Sequence, residues 1–127
     1  MKYFILIFLL SLPTFAQNTK KLKEKLDSAK TNLEMKEISK EITKSFQVKL
    51  KNTVTKVKKS LKGEQLKSFI SSQDKWQKYL DSENDFLMLE FGQKMKHGTS
   101  ASLTSRTRKN QILESRIKYL EALSESL

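Results

Sequence analysis

The chain has 127 residues, enough for one small domain, and its 25 Lys and Arg against 14 Asp and Glu give a formal charge of +11. It has no cysteine and only one histidine, which excludes a disulfide framework and leaves metal or nucleophile chemistry almost unsupplied. Only three glycines and one proline interrupt a chain rich in Lys, Glu, Leu and Ser, so the composition points to an all-α fold.

Residues 1–16, "MKYFILIFLLSLPTFA", join a basic Lys2 to an apolar run, a breaking Pro13 and a small-x-small ending. The run is too short to span a bilayer and reads as a secretory signal peptide cleaved before Gln17. A retained N-terminal anchor is the alternative reading. No cysteine follows it to carry a lipid. The remainder, residues 17–127, is expected to be one helical domain in the periplasm or outside the cell. That compartment permits disulfides, yet this domain must be held by packing alone. The segment takes one of the 25 basic residues and none of the acidic ones, so the domain keeps a strong positive excess. Such a charge favours anionic partners, namely lipid head groups, wall polymers or nucleic acid, and export argues against nucleic acid.

A short leading helix carries Leu22, Leu26, Ala29 and Leu33 on one stripe. "TNLE", Thr31 to Glu34, has the T-x-x-E form of a capping box and places a break near residue 30. The stripe then changes phase to Met35, Ile38, Ile42, Phe46, Leu50, Val54, Val57 and Leu61, which predicts a long second helix. Gly63 is expected to cap its end, where Lys56, Lys58, Lys59 and Lys62 suit the helix dipole. A third helix is predicted from Glu64 to about Lys96, a loop at "KHGTS" (Lys96 to Ser100), and a fourth helix from about Ser102 to the end. Three long helices with short connections and a short leading one make an antiparallel bundle. A monomer or a weak homo-oligomer is expected.

On the helical wheel Phe69, Trp76, Leu80, Leu87 and Phe91 share one face of the third helix, and Gln73 and Glu83 fall on it too. In the fourth helix Leu113, Leu120, Leu123 and Leu127 form the apolar face, with Arg116 in its middle. A carboxylate and a guanidinium facing inward need partners. If the hairpin turn centres near Gly98, Glu83 and Arg116 are offset by about 4.5 Å along the axis. That register predicts a Glu83–Arg116 ion pair with Tyr79 on its flank. Trp76 is read as a core anchor, its indole N–H directed to Gln73 or a backbone carbonyl. The polar cluster beside it either fixes the helix register or faces a ligand.

The same residues carry a family likeness. "QDKWQKYLDSEN" resembles the Q-x-x-W-x-x-[YF]-R-D-x-E-C signature of lysozyme-inhibitor LprI-type N-terminal domains, matching at Gln73, Trp76, Tyr79, Asp81 and Glu83. "HGTS" is similar to that family's Gly-Thr/Ser loop, "RIKYL" with Arg116 and Leu120 to its closing R-x-x-x-L, and "TNLEMKEIS" to its early T-x-x-E-M-x-x-C segment. Leu80 stands where the family has Arg, and Asn84 where it has Cys. The early Cys falls near Ile38 or Ser39, and Val54 replaces a Tyr. The resemblance implies a divergent, cysteine-free member: a helical envelope protein that binds and inhibits a lysozyme or related cell-wall hydrolase. Against strongly basic lysozymes a basic inhibitor needs an acidic patch. "DSENDFLMLE", with Asp81, Glu83, Asp85 and Glu90, is the dense one.

Catalysis has little to work with. His97 sits in the predicted loop with no second ligand for a metal, and Asp81 and Asp85, one turn apart, read as a solvated face. No cofactor is implied. The competing function class is a binder of anionic lipid or wall polymer, suggested by eight lysines and one acid between Lys44 and Lys67. Lysine stems flanking a buried stripe explain that pattern equally simply.

Overall fold

The computed structural model describes residues 14–94 and 99–127, which form α1 (Phe15–Ser28), α2 (Asn32–Lys59), α3 (Gly63–Lys94) and α4 (Thr99–Ser126). Residues 1–13 and 95–98, with Lys96, His97 and Gly98 of the expected loop, and the side chains of residues 90–101, Glu90 and Phe91 among them, lie outside the described residues. No strand occurs among the described residues. Each element begins where local chemistry dictates. The Thr31 hydroxyl accepts from the Glu34 amide at 3.1 Å, and the Glu34 carboxylate accepts from the Thr31 and Lys30 amides at 3.3 and 2.9 Å. This reciprocal capping box satisfies amides that the first turn leaves without partners, and it separates α2 from α1. α1 carries a second box, between Thr14 and Gln17, so the helix starts upstream of Gln17. α2 ends at Lys59 with Ser60 as its C-cap, not at the expected Gly63, because Gly63 takes φ +56°, the left-handed geometry that favours glycine, and turns the chain into α3.

Cross-helix contacts give the directions. Thr43 meets Asn110 and Lys49 meets Glu121, so α2 and α4 run parallel. Gln73 meets Arg116 and Asn84 meets Ser105, so α3 returns antiparallel between them in sequence. α1 folds back along α2, with the Phe15 ring 5.8 Å from that of Phe46. The core is built from Ile42, Phe46, Leu50 and Val57 of α2, Phe69 and Leu80 of α3, and Ile112, Leu113, Ile117 and Leu120 of α4. α4 is thus the central helix, and its largest interface is with α2. The α2 stripe read from the sequence is buried or half-buried throughout. Two of the apolar assignments fail. Leu33 is 67 % exposed on the solvent side of the first turn of α2, and Leu127 is 55 % exposed beyond the last turn of α4.

The buried Thr53 hydroxyl is spent on its own helix, donating to the Lys49 carbonyl at 2.8 Å. Thr43 Oγ1 and Asn110 Oδ1 lie 2.6 Å apart, and Asn110 also donates to the Ser39 carbonyl at 3.5 Å. Across the opposite seam the Ser105 hydroxyl donates to Asn84 Oδ1 at 3.1 Å. Asn84, where the resemblance expects a cysteine, is therefore tied to α4 by its side chain, and Ser39, beside the other expected position, by its backbone carbonyl.

Candidate functional site

Half-way along the α3/α4 seam, Arg116 projects from α4 toward α3. Its Nε and Nη2 both donate to Gln73 Oε1, at 3.1 and 3.0 Å. Its guanidinium lies 5.5 Å from the Trp76 ring centroid and 5.2 Å from that of Tyr119. The cation is held between two aromatic faces and anchored by one amide oxygen, an arrangement that uses the planarity of arginine and would be lost with lysine. Burial pulls the Arg116 pKa below the usual arginine value, and the charge of Tyr119 opposes that pull. It still remains protonated at any physiological pH.

The ion pair expected between Glu83 and Arg116 does not form. The pairs Gln73–Arg116 and Asn84–Ser105 share a midpoint between residues 94 and 95, so the hairpin register centres several residues before Gly98. Moving the centre by half a heptad moves every partner by a whole one. Arg116 therefore stands level with Gln73 rather than with residue 80, and Gln73 lies ten residues N-terminal of the expected partner Glu83. Glu83 instead faces Arg108, with Nε to Oε1 at 4.0 Å, at the outer limit of an ion pair. Gln73 Oε1 is accordingly given to Arg116, and the expected bond from the Trp76 indole to Gln73 is not made.

Trp76 is half-buried and packs against the core as expected, but one side of it is open. It lines a shallow groove of about 340 Å³ with Tyr79, Arg108, Gln111, Ser115 and Arg116. Tyr79, 49 % exposed, gives the groove an aromatic wall, and Tyr119, 57 % exposed, lies beside it against Arg116. Four of the six expected site residues, Gln73, Trp76, Tyr79 and Arg116, are brought together, and Glu83 lies at the edge through Arg108. Asp81 does not join them. It accepts from Gln77 Nε2 at 3.1 Å on the exposed part of α3, and five residues of rotation separate it from Trp76. The acidic patch predicted from "DSENDFLMLE" is therefore split, with Asp81 and Asp85 exposed and Glu83 turned toward the groove. Tyr119 and Arg108 were missed. Tyr119 stands one turn short of the apolar stripe, and only the one-turn spacing from Arg116 hinted at it.

Among the described residues, no cluster of His, Cys, Asp and Glu could hold a metal ion, and no helix is long and apolar enough to cross a membrane. The family described as "Lysozyme inhibitor LprI" matches residues 23–120, well over half of the chain, and the chain belongs to that family. Comparison with curated proteins and with solved structures gives no match.

Proposed function

We propose that this member of the LprI family is an exported, non-catalytic binding protein that inhibits a lysozyme or related cell-wall hydrolase through the α3/α4 face around Trp76. The carrying observation is the composition of that face. Trp, Tyr and Arg are the residue types over-represented at interface hot spots, because they combine large contact area with a few directional polar groups. Here Trp76, Tyr79, Tyr119, Arg108 and Arg116 stand together on rigid helices, and Arg116 is pre-organised by Gln73. Little ordering entropy remains to be lost when a partner docks. The family match supports the same partner class. The electrostatics narrow it: the face carries two arginines and one carboxylate, and the whole chain is +11. An acidic hydrolase of bacterial origin is the better partner, since like charges slow encounter with a strongly basic enzyme.

A turbidity assay of cell-wall lysis tests this, with the purified protein added to c-type and bacterial-type lysozymes at low and physiological salt. The reading expects saturable, near-stoichiometric inhibition that survives physiological salt and is lost in Tyr79→Ala with Tyr119→Ala, both exposed enough to leave the fold intact. No inhibition of either enzyme class would reject it.

A further inference from the structure

A second groove lies on the other side of the α3/α4 seam, where α2, α3 and α4 converge. It has a volume of about 420 Å³, and four cations line it: Lys40 and Lys44 from α2, Arg106 and Lys109 from α4. Within each helix the two stand three or four residues apart, about 5–6 Å between Cβ atoms, so both point to the same strip of surface. No carboxylate lines this groove among the described residues. Just outside it, the Glu37 carboxylate takes a 2.8 Å bond from Lys40, and Glu41 lines the adjoining groove with Lys44. That bond, with the charges of Lys40, Lys36 and Arg106, holds the Glu37 carboxyl below its usual pKa. Lys44, Arg106 and Lys109 form no ion pair among the described residues.

The grooves elsewhere that gather several lysines carry acids in their lining: Glu114 and Glu121 beside Lys23 and Lys49, Glu41 beside Lys21 and Lys25, and Asp74 beside Lys67 and Lys75. Lys23 and Lys118 share Glu114, and Lys49 is joined to Glu121. The difference marks this groove as a place where positive charge is held together without an internal counter-charge, a cost in self-repulsion that an anionic ligand relieves. The floor adds a second kind of specificity. Thr43 and the buried Ser105 line it with Asn84. The Ser105 hydroxyl donates its proton to Asn84, so its oxygen is left to accept, while the Asn84 amide nitrogen is a donor. Cations at the rim with hydroxyl and amide groups beneath suit a tetrahedral oxyanion attached to a hydroxylated carbon chain. The cavity is also larger than a single ion requires.

We infer that this groove binds a phosphate ester of a polyol, with Lys44, Arg106 and Lys109 on the phosphate and the Thr43, Asn84 and Ser105 floor on the polyol hydroxyls. It is distinct from the Trp76 face in residues and in chemistry. Two sources present that group: a phosphoglycerol lipid head group and a free or polymeric glycerol phosphate.

The test uses the purified protein, the doubly substituted Arg106→Ala/Lys109→Ala protein, and a charge-matched control, Lys58→Ala/Lys62→Ala, altered far from the groove. Binding of glycerol phosphate is followed by calorimetry or by amide shifts, and binding to phosphatidylglycerol-containing vesicles by co-sedimentation. Thermal melts confirm that each variant is folded. The expected result is saturable binding that falls roughly tenfold or more in the groove variant and is nearly unchanged in the control. Inorganic phosphate should bind more weakly than glycerol phosphate, because it leaves the polar floor unused. If glycerol phosphate binds and competes with the vesicles, the site accepts the free ester. If only vesicles bind, and through the groove, the source is the membrane. Equal losses in the groove variant and the control would show diffuse charge attraction and overturn the inference, as would no binding of either probe.

Discussion

The two sides of α4 are sealed by different chemistry. Toward α2 it buries Leu113, Ile117 and Leu120 against Ile42, Phe46, Leu50 and Val57, a nearly continuous apolar seam. Toward α3 the apolar contribution is Phe69 and Leu80 with half-buried Trp76, and the seam is completed by Gln73–Arg116 and Asn84–Ser105. Non-directional burial gives the first seam its strength. Directional bonds give the second its register and leave aromatic surface over for a partner. One helix thereby separates stability from recognition, and the α3 side can change its surface residues without dissolving the α2 side.

The sharpest way to break that contrast is at the apolar seam. Phe46→Ala, which empties a site only 2 % exposed, is expected to cost about 3–5 kcal/mol in urea denaturation. Arg116→Met, at the polar seam, is expected to cost less, about 1–2 kcal/mol, because it leaves Gln73 Oε1 half-buried without its donor. Yet it should weaken hydrolase inhibition at least tenfold, whereas the residual folded fraction of Phe46→Ala should inhibit normally. Equal ratios of stability loss to inhibition loss at the two seams would abolish the distinction. Thr31→Ala, which removes the cap between α1 and α2, is expected to lower stability by about 1 kcal/mol and leave inhibition unchanged.

The smallest effect is electrostatic. Lys23 of α1 reaches Glu114 of α4 at 3.1 Å. Burial raises the Glu114 pKa, but the bond and charge of Lys23, with Lys118, outweigh it, and the net shift is below the usual 4.5. A carboxyl depressed in the folded state stabilises it above the unfolded pKa, and that contribution is lost as pH falls through the folded value. Acid melts should therefore show Glu114→Gln converging on the parent protein below about pH 4.5, with a difference under about 1 kcal/mol at neutral pH. No convergence at low pH would mean that the Lys23 bridge contributes nothing.

Most of the fold is legible in the residues, for identifiable reasons. The α2 stripe and the T-x-x-E cap are local signals, and each appears where its physics requires, whereas Gly63 marks the turn into α3 and the α2 cap falls on Ser60. The site was only half legible. Helical spacing placed Gln73, Trp76 and Arg116 on facing surfaces, but which α3 residue Arg116 meets depends on where the hairpin turns. That register is set by the contacts of the whole seam, Asn84–Ser105 among them, and a loop motif such as "KHGTS" fixes it no better than a few residues. The end positions failed for a related reason: Leu33 and Leu127 continue their stripes in sequence after the neighbouring helices have stopped covering them. The cationic groove was invisible because its members come from two helices far apart in the chain. Lysine density is highest at residues 44–67, whereas the groove joins Lys40 and Lys44 to Arg106 and Lys109.

The account rests most directly on the claim that the Trp76 face receives the hydrolase, and the chain offers a clean reporter because it contains one tryptophan. The measurement is a titration of the ¹⁵N-labelled protein with an unlabelled bacterial-type lysozyme, following the single indole N–H resonance. The account predicts a saturable shift or broadening of that signal, together with the amides of Tyr79, Arg116 and Tyr119, while those of the α1/α2 side stay in place. An unchanged indole signal at saturating enzyme, or perturbation confined to α1 and α2, would contradict it.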